Sequence, residues 1–220
     1  MKKNIAYILF LVAGSIYAQT PLFYIGGSAG LGPAVMGQNG TVLGGNLSPL
    51  QFDWQITKFL ALGSGLNCYF GPQSSYVAPK QTDPNSGMLE TYAGMETHIL
   101  FPLLLEFTLR PGIFSIELGG GLYAAPVVMN TTIERTNDNG YTVGEAYGKK
   151  LFSAERDNPF GFAVNSSIGV KIAQGILFFN LGYLRDFSEI TVKFNNEKIG
   201  HHLWTMFAFD IGYKHGFLSK

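Results

Sequence analysis

The feature that most constrains this chain is the sorting of charge along one of its most apolar stretches, Ile99 to Gly120, "ILFPLLLEFTLRPGIFSIELGG". A membrane-spanning helix needs roughly 20 apolar residues, and a charge at its centre costs about 2.5–3.5 kcal/mol. The uncharged run from Ile99 to Leu105 is far shorter, and Glu106, Arg110 and Glu117 follow, with Pro102 and Pro111 among them. Read two residues at a time, the segment becomes orderly. Ile99, Phe101, Leu103, Leu105, Phe107 and Leu109 fall on one side, while His98, Leu100, Pro102, Leu104, Glu106, Thr108 and Arg110 fall on the other. After "RPGI", Phe114, Ile116, Leu118 and Leu122 alternate with Ser115, Glu117, Gly119 and Tyr123. Successive strand side chains point to opposite faces. The segment is therefore a hairpin with one apolar face and one face that holds every charge. Pro102 predicts a bulge, because proline cannot donate to the ladder of a central strand.

The alternation recurs and predicts strands at 22–32, 46–57, 61–71, 92–109, 113–125, 159–173, 176–186 and 201–214. The connections alternate too. Those at 58–60, 110–113 and 174–175 are short; those at 33–45, 72–91, 126–158 and 187–200 are long and hold the Pro, Asn, Asp and Gly clusters. This pattern predicts an all-β chain, an eight-stranded antiparallel up-and-down transmembrane β-barrel with short turns at one end and long loops at the other. An even strand count returns both termini to the short-turn end.

In such a barrel the apolar sides meet lipid, where a charge near the midplane costs about 2–4 kcal/mol. The lumen then receives Asp53, Glu106, Arg110, Glu117, Lys171, Asp210 and Lys214 as a charge network paired across facing strands. A soluble barrel with an apolar ligand cavity would turn the faces the other way. Its water-facing sides would be rich in Gly, Ser, Asn and Tyr and poor in Lys and Glu, an odd soluble surface. Trp54, Tyr183 and Tyr213 fall on the lipid sides near strand ends and read as interfacial girdle residues.

The start of the chain, "MKKNIAYILFLVAGSIYAQT", has two lysines, an apolar run from Ile5 to Ile16, and Ala18 before Gln19. It reads as a secretory signal peptide, residues 1–18, cleaved after Ala18, with residues 19–220 as one barrel domain. The single Cys68 allows no internal disulfide and lies far from that site, which excludes a lipoprotein. With 15 basic and 15 acidic residues the chain is no polycation, so nucleic acid is not a partner. "GGSAGLG" at 26–32 lacks the Lys-Ser/Thr of a phosphate loop and reads as strand packing. His201 and His202 are adjacent on a strand and point opposite ways, so no metal is expected there.

The signal peptide, eight alternating strands, sorted loops and aromatic last strand, "DIGYKHGF" with Asp210, Gly212 and Phe217, resemble the small bacterial outer-membrane barrels of the OmpA/OmpX/OmpW type. His215 and the trailing "LSK" depart from that family's terminal pattern. The resemblance implies a bacterial outer-membrane location, contact with outer-membrane lipids and the barrel assembly machinery, a monomer, and no cofactor. Eight strands leave an interior that side chains fill, so a wide pore is not expected. The leading reading is a non-enzymatic structural or surface-interaction protein. Its contact element is loop 126–158, through Glu134, Arg135, Lys149, Lys150 and Arg156. One alternative is an OmpW-like channel for small hydrophobic molecules, opened sideways where Pro72, Pro79, Pro126 and Pro159 interrupt pairing. Another is a lipid-modifying hydrolase, for which Ser188, Glu189, His201 and His202 are candidates that no spacing joins into a triad.

Overall fold

The computed structural model describes residues 21–36, 40–79, 89–136, 140–143 and 152–219. The leader segment 1–18, Lys149 and Lys150 lie outside these residues, as do the side chains of Glu134 and Arg135. The strands are β1 (Pro21–Met36), β2 (Gly40–Gln55), β3 (Leu60–Pro79), β4 (Leu89–Leu109), β5 (Phe114–Thr136), β6 (Gly140–Val143), β7 (Phe152–Arg156), β8 (Phe160–Ile172), β9 (Gly175–Asp186), β10 (Ile190–Phe194), β11 (Glu197–His202) and β12 (Trp204–Ser219). Eight of them, β1–β5, β8, β9 and β12, pair antiparallel in that order. The last closes on the first from Pro21↔Ser219 to Met36↔Trp204. The result is a closed up-and-down barrel, with no free strand edge for hydrocarbon to leave unpaired.

Its faces are inside out relative to a soluble protein. Leu105 (56%), Leu118 (52%) and Ile211 (65%) are exposed, whereas Asp210 (3%), Lys214 (5%) and Glu117 (6%) are buried. This rules out the soluble barrel with an apolar cavity and defines a transmembrane barrel. The apolar belt covers residues such as 99–109 of β4, 114–124 of β5 and 175–185 of β9, about the length a tilted strand needs to cross hydrocarbon. Aromatic rings edge it. Near the short turns, Phe23 stacks on Phe52 at 5.5 Å and on Trp54 at 6.5 Å. Near the long loops, Tyr183 lies 5.7 Å from Phe162 and 4.9 Å from Phe207. Tyr213 sits at the short-turn rim beside His215, with ring centres 6.5 Å apart.

The belt makes a depth-dependent prediction. Leu118→Arg, near the middle of the belt stretch of β5, lowers stability by about 2–4 kcal/mol, and Leu43→Arg, near the long-loop edge, by about 0–1 kcal/mol. Urea unfolding of the two variants in lipid vesicles measures the gap. Equal losses would mean that no hydrocarbon slab surrounds the barrel.

Pro102 is accommodated as expected. The β4–β5 register shifts between Ile99 and Phe101, and the β3 ladder is interrupted opposite the proline. The long connections differ from expectation. Strand pairing continues into them: β1 runs to Met36, β2 starts at Gly40, and β3, β4 and β5 continue to Pro79, from Leu89 and to Thr136. Beyond the belt no lipid requires an apolar side, so sequences such as "QSSYVAPK" and "NTTIERT" lose the period that marks a strand.

Segment 187–200 is a hairpin, β10–β11, turned by Asn195 (φ 51°) and Asn196 (φ 69°). Both angles suit a type I′ turn, and Asn tolerates them. With β7 it forms a separate sheet, ordered β11-β10-β7 and unpaired with the barrel ladder. This sheet caps the long-loop mouth. Ile190 and Ala154 pack into the barrel core against Trp204, Tyr123, Leu100 and Leu184.

Candidate functional site

The candidate site is the lumen, which is stopped at two levels. Toward the short turns, Lys214 Nζ lies 2.7 Å from Asp53 Oδ2 and 2.6 Å from Glu117 Oε2. Arg110 Nη2 reaches Glu117 Oε1 at 3.5 Å and covers the Tyr24 ring at 4.5 Å. Ser167 Oγ donates to Glu117 at 3.1 Å, and Asn165 Nδ2 to Glu106 Oε1 at 3.3 Å. Carboxylate oxygens of Asp53, Glu106 and Glu117 lie within 4.8 Å of one another. That spacing suits a metal ion, but Lys214 already places a cation between two of the three. Gly63 and Gly119 make room, since a Cβ would press on Glu106 Oε1 at the first and collide with Asn165 Oδ1 at the second. Below the cluster, Tyr24, Ile176 and Phe178 close the mouth.

A cavity of about 80 Å³ reaches from the cluster, where Asp53, Glu117 and Lys214 line it, up to Asn67, Asn180 and Asp210, with room for several waters. Asp210 is held here by Asn46 and by Asn180 at 3.1 Å. An aromatic layer roofs the cavity. Trp204 is wholly buried and stacks on His98 at 4.5 Å, with the edges of Tyr69 and Tyr123 5.7 and 6.4 Å away.

A second ion cluster joins this layer to the cap. Arg156 Nη2 lies 2.8 Å from Asp186 Oδ2 and 2.8 Å from His98 Nδ1, and Nη1 donates to Ala125 O at 2.7 Å. Tyr123 Oη donates to Asp186 Oδ1 at 2.6 Å. Glu96 Oε2 stands 3.2 Å from His98 Nε2 and 3.3 Å from His202 Nε2. Arginine only donates, so His98 Nδ1 accepts and the ring proton is left on Nε2, which lies 3.2 Å from Glu96 Oε2. Glu96, His98, Asp186 and His202 lie beyond the belt. Burial pushes the Glu96 carboxyl up, but hydrogen bonds from His202 and His98 more than offset this and hold it below its usual range. Burial lowers the His98 imidazole, against the pull of Glu96 and with the push of Arg156.

The seven charges expected in the lumen all lie on the lumen side, but they do not form one network. Asp53, Glu106, Arg110, Glu117 and Lys214 come together. Asp210 is held by amides further up, and Lys171 stands apart at the short-turn mouth, only half buried. Arg156, expected as an outward contact, is a correction: its side chain is 4% exposed and points inward. It turns in because β7 belongs to the cap and meets β4, β5 and β9 across the mouth. The hydrolase candidates do not assemble. Ser188 Oγ exchanges hydrogen bonds with the Asn158 backbone, His201 faces Glu189 at 3.6 Å on the surface, and His202 turns inward. Glu96, Asp186 and Trp204 were missed, although strand parity puts Glu96 beside His98 and Trp204 beside Met206.

A closed eight-stranded barrel with its hydrocarbon outside and its ions inside has the architecture of the small outer-membrane barrels of the OmpA/OmpX/OmpW type. No protein-family model and no curated protein sequence matches the chain. Among solved structures it is similar to Neisserial surface protein A, at 12% identity and a TM-score of 0.49, over 89% of this chain and 97% of that one. It is also similar to the outer membrane protein OprG from Pseudomonas aeruginosa, at 12% identity and a TM-score of 0.48, over 91% and 97%.

Proposed function

We propose that this protein is a plugged bacterial outer-membrane barrel that acts through its outer end, in a structural or surface-interaction role, and is not an enzyme. The observation that carries this reading is the double closure of the lumen, by the Lys214 cluster in one half and the Trp204 layer in the other. In this reading the belt sits in outer-membrane lipid and the chain is a monomer. β12 presents Phe217 to the assembly machinery, and segment 126–158 meets an envelope or extracellular partner.

The test is a planar bilayer. Refolded protein that migrates faster unboiled than boiled, and so is a closed barrel, gives no discrete openings at neutral pH. Discrete openings would replace the plugged reading with the channel for small hydrophobic molecules. The β5–β8 ladder ends at Ala124↔Phe160, between Pro126 and Pro159, and an opening would be sought there.

A further inference from the structure

The cap meets the barrel through an apolar contact, Ile190 and Ala154 against the Trp204 layer, and through ionic side chains that a proton can rearrange. Its three strands share no ladder with the barrel. Short non-strand joints connect it to the wall: Asp157–Pro159 before β8, Phe187–Glu189 after β9, and Leu203 before β12. Across the mouth, Arg156 of β7 grips the wall at Ala125, Asp186 and His98, and His202 of β11 meets Glu96.

The charged and titratable groups around His98 come from every wall of the site. They are Glu96 on its own strand, Arg156 from β7, Asp186 from β9, Tyr123 from β5, Tyr69 from β3 and His202 from β11. A proton added to His98 has only Nδ1 to occupy, and that atom is the acceptor for Arg156 at 2.8 Å.

We propose that the cap is an acid-released lid: a proton on His98 Nδ1 removes the acceptor that Arg156 uses, sets two cations face to face, and frees β7, β10 and β11 from the mouth. The sign follows from linkage. The open state exposes His98 to water and binds a proton at about pH 6.5, whereas burial disfavours the charged ring in the closed state. The closed form binds fewer protons, so it is fully favoured above that pH. Below it, the closed form loses up to about tenfold in population per pH unit.

Trp204, stacked on His98, is the reporter. Trp54 is the other of the two tryptophans and lies on the lipid face, so Trp54→Phe leaves a single signal. The measurement is acrylamide quenching of the Trp204 lifetime in the detergent-folded full chain, from pH 8 to pH 4.5. Gel mobility confirms a folded barrel at each pH. Quenching is expected to be weak at pH 8 and to rise several-fold below pH 6.5. His98→Gln keeps an acceptor but does not titrate, so it stays weakly quenched throughout. Arg156→Gln is strongly quenched already at pH 8. If Arg156→Gln does not fold, the flat profile of His98→Gln still decides. Equal shielding of Trp204 at both ends of the range, or a His98→Gln variant that keeps the acid rise, would overturn the lid.

Discussion

Replacing Lys214 with Met is expected to cost the barrel about 3–5 kcal/mol, the loss seen when one partner of a buried ion pair is removed. Lys214 is 5% exposed, and its ammonium lies between Asp53 and Glu117, 2.7 and 2.6 Å away. Without it, both carboxylates keep their desolvation and lose the cation that offsets it. Arg110, 3.5 Å from Glu117, cannot serve Asp53 as well. The loss belongs to the unpaired charge rather than to the methylene packing, so Lys214→Met with Asp53→Asn recovers a large part of it. A double-mutant cycle over these two positions yields the coupling directly. Urea unfolding in detergent micelles, followed by β-sheet ellipticity, supplies all four stabilities. If Lys214→Met alone costs less than about 1 kcal/mol, the value of an exposed pair, the cluster is bathed in water and does not plug the lumen.

How much of this site the sequence discloses depends on what forces each residue to its side. Within the belt, lipid imposes the choice. Leu103, Leu105 and Phe107 must face out, so Glu106 must face in, and reading every second residue suffices. The same parity placed Asp53, Arg110, Glu117 and Lys214 in the lumen. It could not say which of them meet. Lys214 and Glu117 pair across the barrel, 97 positions apart, and that contact is set by strand stagger, which leaves no mark on any one strand. Outside the belt the forcing ends. The extension of β5 over 126–136 shows no clear period of two, whereas Ile190, Val192 and Phe194 of β10 do alternate with Thr191 and Lys193, in a run too short to separate from the loop around it, and nothing local distinguishes Arg156 from a solvated loop charge. Its inward turn depends on a cap strand whose ladder partner, β10, lies beyond β8 and β9 in the chain. Within 187–200 the local signals of a hairpin are the alternation of "ITVKF" and the Asn195-Asn196 pair that follows it.

Trp204→Ala is the counterpart at the other end of the lumen and is expected to cost about 3–5 kcal/mol, the range for a large aromatic lost from a core. Trp204 has no solvent exposure and holds four things at once: the stack on His98, the edges of Tyr69 and Tyr123, and Ile190 of the cap. Removing it opens a void between the wall and the cap, which the ladder of a closed barrel is too stiff to collapse. Trp204→Phe separates packing from polarity. It keeps a ring against His98 and gives up no hydrogen bond to the described residues, among which none accepts from Trp204 Nε1. Its cost should therefore be about 1 kcal/mol, the smaller ring being partly offset by the loss of a buried donor without a protein acceptor. Because Lys214 lies in the other half of the lumen, the Ala cost should add to that of Lys214→Met within about 0.5 kcal/mol. A sum that falls well short would mean that the two stops are coupled through the polar cavity between them and open together.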